Sequence, residues 1–144
     1  MSISTNIQAS VPSTAIASDN LESDSSDLLR SIVRAAEDRK GEDIVLLKVG
    51  SVSYLADYFA IVTGFSKAQV RALSQSILAR MEEDCQRTCL RVEGQTEGSW
   101  VLLDYGDIIV HIMLPEERDY YSLEAFWGHA ERVEPASLAT AIDR

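Results

Sequence analysis

Few side chains in this chain stand at spacings that could carry out a reaction. Two-metal nucleotidyl transfer needs carboxylates at i and i+2 of one strand, so that both point to one face. Gly50-Ser51 after an apolar run invites that comparison, but the acid in the following strand region is Asp57, and two positions on stands Phe59. One carboxylate does not hold a metal pair. The histidines are His111 and His129. His111 lies in the middle of a V-H-I-M run, where a histidine satisfied by its sheet neighbours is commoner than a catalytic base. No G-x-S-x-G, G-x-G-x-x-G or Walker loop is present. Cys85 and Cys89 stand four apart without further cysteines to complete a zinc set, and they read as small half-buried hydrophobes of a reducing compartment. Asp104 and Asp107 bracket a turn and could hold a cation, although such residues more often satisfy turn amides. No catalytic residue, metal site or cofactor is therefore expected.

What the chain does concentrate is aromatic surface. Six of its aromatic residues fall between positions 100 and 127: Trp100, Tyr105, Tyr120, Tyr121, Phe126 and Trp127. Two apolar runs, residues 101–103 and 108–114, flank the turn Asp104-Tyr105-Gly106-Asp107, in which Gly106 can supply a positive φ. Pro115 ends the second run, because it has no N–H for a ladder. Aromatic groups gathered without catalytic partners point to a binding surface. Tyr105, at the turn tip, is expected to be displayed; Trp100 is open to both a core and a docking reading.

The elements that position these residues follow from periodicity. Leu28, Leu29, Ile32, Val33 and Ala36 recur at helical spacing, with Lys40-Gly41 as a stop. Residues 44–49 and 58–62 read as strands, mostly buried because alternation is weak. Ser66 and Gln69 form a capping box, with Phe65 and Val70 at the positions of a hydrophobic staple, and Val70, Leu73, Ile77 and Met81 make one apolar stripe. Residues 90–92 give a third strand and the hairpin the last two, before the aromatic segment. The expectation is an α+β fold: a mixed five-stranded sheet flanked by helices, in the order α-β-β-α-β-β-β-α. Residues 1–26, Ser-rich, acidic and without Lys or Arg, read as a disordered tail. Residues 27–133 form the domain, and residues 134–144 a flexible tail.

Bulk properties narrow the partners. A formal charge of -10 gives no electrostatic reason to seek phosphate backbones, so direct sequence-specific nucleic-acid binding is not expected. A basic protein is the better-matched partner. No apolar run approaches the roughly 20 residues of a membrane span.

Residues 28–132 resemble the ribosomal silencing factor family, also called Iojap-like. The motifs that carry the likeness are Tyr58-Phe59-Ala60-Ile61-Val62-Thr63-Gly64 with Ser66 after it, Glu93-Gly94, and Gly98-Ser99-Trp100-Val101-Leu102-Leu103-Asp104-Tyr105-Gly106-Asp107. Ile109-Val110-His111-Ile112, Arg118, Tyr121, Leu123-Glu124 and Trp127 continue it. The resemblance implies a fold like that of nucleotidyltransferases without their active site, in agreement with the lone Asp57. It implies a non-enzymatic regulator that binds the large ribosomal subunit through its protein universal L-fourteen, blocks joining of the small subunit and lowers translation when nutrients are scarce. Relatives work in bacterial cytoplasm, plastids and mitochondria; the basic-poor start favours the bacterial cytoplasm. The partner-binding surface is expected at Trp100, Asp104, Tyr105 and Asp107, with Arg118 and Tyr121 from the downstream motif. A homodimeric scaffold and a vestigial nucleotide-binding protein are the competing readings. Co-migration with the large-subunit peak, and not with whole ribosomes, separates them.

Overall fold

The structure, a computed structural model, describes residues 11–50, 55–135 and 138. Ser51, considered above beside Gly50, lies outside them, as do residues 1–10 of the expected N-terminal tail. The first helix, α1 (Val11–Asp38), starts well upstream of the expected position near Ser26. Pro12 looks like a breaker in sequence but stands in the helix's first turn, where a missing N–H removes no bond. Downstream, Ala15, Ala17 and Leu21 are good helix formers. At the other end Lys40 itself takes the left-handed conformation, with φ 61°, and the amide of Gly41 bonds the carbonyl of Ala36.

The remaining elements are β1 (Glu42–Lys48), β2 (Tyr58–Thr63), α2 (Lys67–Cys85), β3 (Arg91–Glu93), β4 (Trp100–Asp104), β5 (Ile108–Met113), α3 (Pro115–Tyr121), α4 (Leu123–Phe126) and β6 (Glu131–Val133). The fold is the expected α+β arrangement with helices around a mixed sheet, but the sheet has six strands among the described residues rather than five. The additional strand is β6, which pairs antiparallel with the outer edge of β1 through Leu46↔Val133. The strand order is β3-β4-β5-β2-β1-β6. Every neighbouring pair is antiparallel except the central one, β2 with β5, which runs parallel from Tyr58↔Ile108 to Thr63↔Met113. These two strands are flanked on both sides, which is why β2 is buried from Phe59 to Thr63 and shows no alternation.

The two sheet faces differ in what covers them. On one, α1 and α2 bury the main core, with Ile32 and Ala36 of α1, and Leu73 and Ile77 of α2, fully buried against Val62, Val110 and Leu103. Burial of each large aliphatic side chain contributes about 1.5–3 kcal/mol, so this layer supplies most of the stability. The N-cap expected at Ser66 is formed: its hydroxyl accepts from the amide of Gln69 at 3.1 Å. The side chain of Gln69 accepts from the amide of Phe65, and its amide nitrogen donates to the carbonyls of Arg39 and Lys40. One residue thereby caps α2 and joins it to the end of α1. The staple is not closed, since Phe65 stays 60% exposed while Val70 is buried.

The other face carries a smaller core of Val45, Leu47, Phe59, Ile61 and Met113, against which Trp100, Leu123 and Trp127 pack. Among the described residues, the helices on this face are the short α3 and α4. Within the stretch expected to fray, Leu138 is 7% exposed and packs in the main core, and its carbonyl accepts from Arg30. A single leucine makes no periodic pattern, so sequence alone does not reveal it. The other residues beyond 135 lie outside the described set.

Candidate docking groove on the thinly covered face

Strand alternation decides which residues of β4 can meet a partner. Val101 and Leu103 point into the main core, and Tyr105 continues the same parity into it. Trp100 and Leu102 point the other way and are half-buried. The indole of Trp100 packs against Tyr121 with the rings tilted at 49° and a centroid distance of 4.7 Å, and Tyr121 remains 50% exposed. Next to Tyr121, Tyr120 is 81% exposed, and farther along Phe126 is 74% exposed. Trp100, Leu102 and Tyr121 line a groove of about 470 Å³, the scale of a few side chains, whose rim carries Glu93, Glu97 and Glu117. An aromatic floor ringed by carboxylates suits Lys or Arg side chains, through ring faces and ion pairs together.

Local structure holds each wall. Gly94 lies at φ +85°, and a Cβ there would sit 2.1 Å from the carbonyl oxygen of Trp100. Only glycine lets the two backbones approach so closely. The guanidinium of Arg71, on α2, donates to the carbonyls of Gln95 and Thr96 at 3.0 and 2.8 Å, fixing the loop that bears Glu97. Outside the groove's lining, on the helix that carries Tyr121, Arg118 is 8% exposed. Its Nη1 donates to the Thr63 hydroxyl at 2.7 Å, and its Nε and Nη2 fork onto the Glu124 carboxylate at 3.2 and 2.9 Å. The hydrogen bond from Arg118 holds the Glu124 carboxyl below the usual carboxylate range. This pair, with Arg118 buried and Glu124 half-exposed, ties α3 to β2 and α4, and so seats Tyr121 over Trp100.

Beneath the floor lies His111, 6% exposed. The indole N–H of Trp100 donates to its Nδ1 at 3.2 Å, across one diagonal of the β4–β5 ladder. The ring of Phe59 meets the imidazole edge-to-face at 5.0 Å. Burial alone pushes the His111 pKa down to about 4. The histidine is therefore a sheet residue satisfied on one nitrogen.

The residues expected at the partner surface divide into two groups. Trp100 and Tyr121 come together in the groove. Arg118 lies behind them as their support, buried and fully engaged, which corrects its expected place at the surface. Asp104, Tyr105 and Asp107 stand at the far end of β4. Tyr105 is 3% exposed, so the display expected at a turn tip is corrected: the strand's parity carries its ring into the core. Its hydroxyl, without a hydrogen-bond partner among the described residues, has its pKa raised by burial. Gly106 takes the expected positive φ, +90°, and its amide donates to the Asp104 carboxylate at 2.8 Å. Asp107 pairs with Arg87 at 2.6 Å. The Asp104 carboxylate thus holds the turn, and that of Asp107 holds Arg87, whose guanidinium also donates to the Tyr105 carbonyl at 2.9 Å. Sequence reasoning missed Leu102, which shares Trp100's parity, and the three rim glutamates, which only the tertiary fold assembles. Cys85 and Cys89 are half-buried against the core, as expected, and among the described residues no cluster of His, Cys, Asp and Glu could hold a metal ion. No helix among the described residues is long and apolar enough to cross a membrane.

Comparison with known proteins agrees with this architecture. The family described as "Ribosomal silencing factor during starvation" matches residues 22–143. Ribosomal silencing factor RsfS of Halalkalibacterium halodurans is 39% identical over 108 residues, 75% of this chain and 92% of the relative. The protein of the same name from Chromobacterium violaceum is 42% identical over 96 residues, 67% of this chain and 78% of the relative. A crystal structure of a Chromobacterium violaceum protein superposes with TM-score 0.68 at 40% identity, covering 70% of this chain and 83% of that one. The sequence motifs, the fold and these matches have one reading: the chain belongs to the ribosomal silencing factor family.

Proposed function

We propose that this protein represses translation by binding the large ribosomal subunit through its protein universal L-fourteen, where its bulk blocks joining of the small subunit when nutrients are scarce. The observation that carries the reading is the groove: a half-buried Trp100 with an exposed Tyr121 against it, inside a rim of Glu93, Glu97 and Glu117. Ribosomal proteins are generally basic, and a net charge of -10 favours encounter with one of them over landing on bare RNA. Steric blocking consumes no nucleotide and uses no metal or cofactor; it needs a well-placed bulk and a slow off-rate. The site of action is the cytoplasmic ribosome.

The test mixes purified protein with separated subunits and follows their association by light scattering. Excess protein is expected to abolish association without turnover of a nucleoside triphosphate. Trp100→Ala and Tyr121→Ala are each expected to weaken large-subunit binding about thirtyfold, the loss of about 2 kcal/mol typical of an aromatic anchor. Undiminished association at excess protein overturns the blocking mechanism. Normal binding by both variants places the contact elsewhere.

A further inference from the structure

We propose that His111 is a positioning residue of the docking surface: its unprotonated Nδ1 holds the Trp100 indole N–H and thereby fixes the ring that the partner meets. The inference rests on the reading of the groove as the docking site.

The indole nitrogen only donates, so the Nδ1 it reaches at 3.2 Å accepts and the proton of the neutral imidazole sits on Nε2. Nε2 is buried without a hydrogen-bond partner among the described residues. An aliphatic residue would fill this place in the sheet without stranding a polar atom, so packing alone gives no reason for a histidine. What histidine supplies is an acceptor aimed at Trp100. The indole is half-buried at the end of a strand, with Tyr121 on one side, and an exposed N–H there could turn to water in several rotamers. A buried acceptor selects one of them. Phe59, edge-on at 5.0 Å, in turn fixes the imidazole plane. The ring is thus ordered before the partner arrives, and the loss of side-chain freedom that accompanies docking is smaller.

The test compares two amides of similar chemistry in the full-length protein. In His111→Asn the side-chain oxygen falls near the position of Nδ1; in His111→Gln it falls near that of Nε2, away from the indole. The first readout is affinity for the large subunit. The second is the indole N–H resonance of Trp100 in isotope-labelled protein, assigned by its absence in Trp100→Phe, together with its exchange with solvent. His111→Gln and the ring-preserving His111→Phe are expected to weaken binding roughly three- to tenfold, the range for leaving one side chain to be ordered on binding. Both should shift the indole resonance and speed its exchange. His111→Asn is expected to recover most of the affinity and the protected resonance. Equal behaviour of the Asn and Gln variants in both readouts overturns the inference, as does an unaltered affinity in His111→Phe. If Trp100→Ala binds normally, the docking reading itself fails and takes this inference with it; if Trp100→Ala loses binding while the His111 variants do not, only the positioning role fails. Should His111→Phe not fold, the Asn and Gln pair decides.

Discussion

Two side chains at opposite ends of β4 show how position outweighs residue type. Tyr105 and Trp100 are both aromatic and both in the motif-rich hairpin, yet parity sends Tyr105 into the core and leaves Trp100 half-buried on the other face. Tyr105→Ala should therefore destabilise the fold by roughly 3–5 kcal/mol, the range for emptying a buried aromatic site. Tyr105→Phe should leave the urea midpoint unchanged or slightly raised, since the hydroxyl it removes has no partner among the described residues. Equilibrium unfolding of the two variants checks both outcomes. Tyr105 was misplaced from sequence because Gly106 marks a turn without saying where the strand's alternation stops. The density of aromatics from residue 100 to 127 is legible in sequence, but the side on which Trp100 and Leu102 lie needs the parity argument, and the rim glutamates need the fold. His111 gives a second expectation. Its folded pKa, about 4, lies below the ordinary 6.5, so the unfolded chain takes a proton that the folded one refuses. Stability from this group is complete above the ordinary value and is lost as pH falls from there to about 4, by roughly 3 kcal/mol in all. Glu124, held low by Arg118, adds a further loss only as pH falls through its own depressed range. Urea titrations at stepped pH should show this slope, and His111→Asn should remove the part that lies above the carboxylate range.

Among elements, those legible in sequence are those whose own residues specify them. α2 announces itself through the Ser66 cap and one apolar stripe, and β2 through a β-branched run that central pairing then buries. β6 is three residues long with a single apolar side chain, and what makes it a strand is the free edge of β1. No local pattern records a partner so distant. The upstream half of α1 was hidden for a different reason, since Pro12 signals a break everywhere except in a first turn. The loop before β4 is an element in the same sense, fixed by Gly94 and Arg71 rather than by its own hydrogen-bond ladder. Gly94→Ala should push the Trp100 backbone away and strain a left-handed residue together, costing above about 1 kcal/mol. The expected result is a lower melting temperature accompanied by weaker large-subunit binding. Retention of both would mean that the loop tolerates a shift without disturbing Trp100.

At the scale of the whole molecule, an acidic protein with an acid-rimmed groove should associate faster at low ionic strength. Replacing Glu93, Glu97 and Glu117 together by Gln is expected to slow association with the large subunit mainly at low salt, leaving dissociation nearly unchanged. Stopped-flow binding across a salt series measures this, and a salt-independent on-rate would contradict it. The sheet's connectivity has a consequence for how the molecule comes into being. Its central parallel pair joins Tyr58 to Ile108, and the outer edge of β1 is closed only when Leu46 meets Val133. Such high contact order makes refolding slower than that of a helical bundle of the same size, because long loops must close before the pairings reward them. During synthesis β1 leaves the exit tunnel well before β6 does, and its outer edge stays unpaired until residues 131–133 have emerged in turn. A regulator of ribosomes is in this way a late-completing client of the ribosome that makes it, its β1 edge open to pairing with neighbouring nascent chains until its last strand emerges.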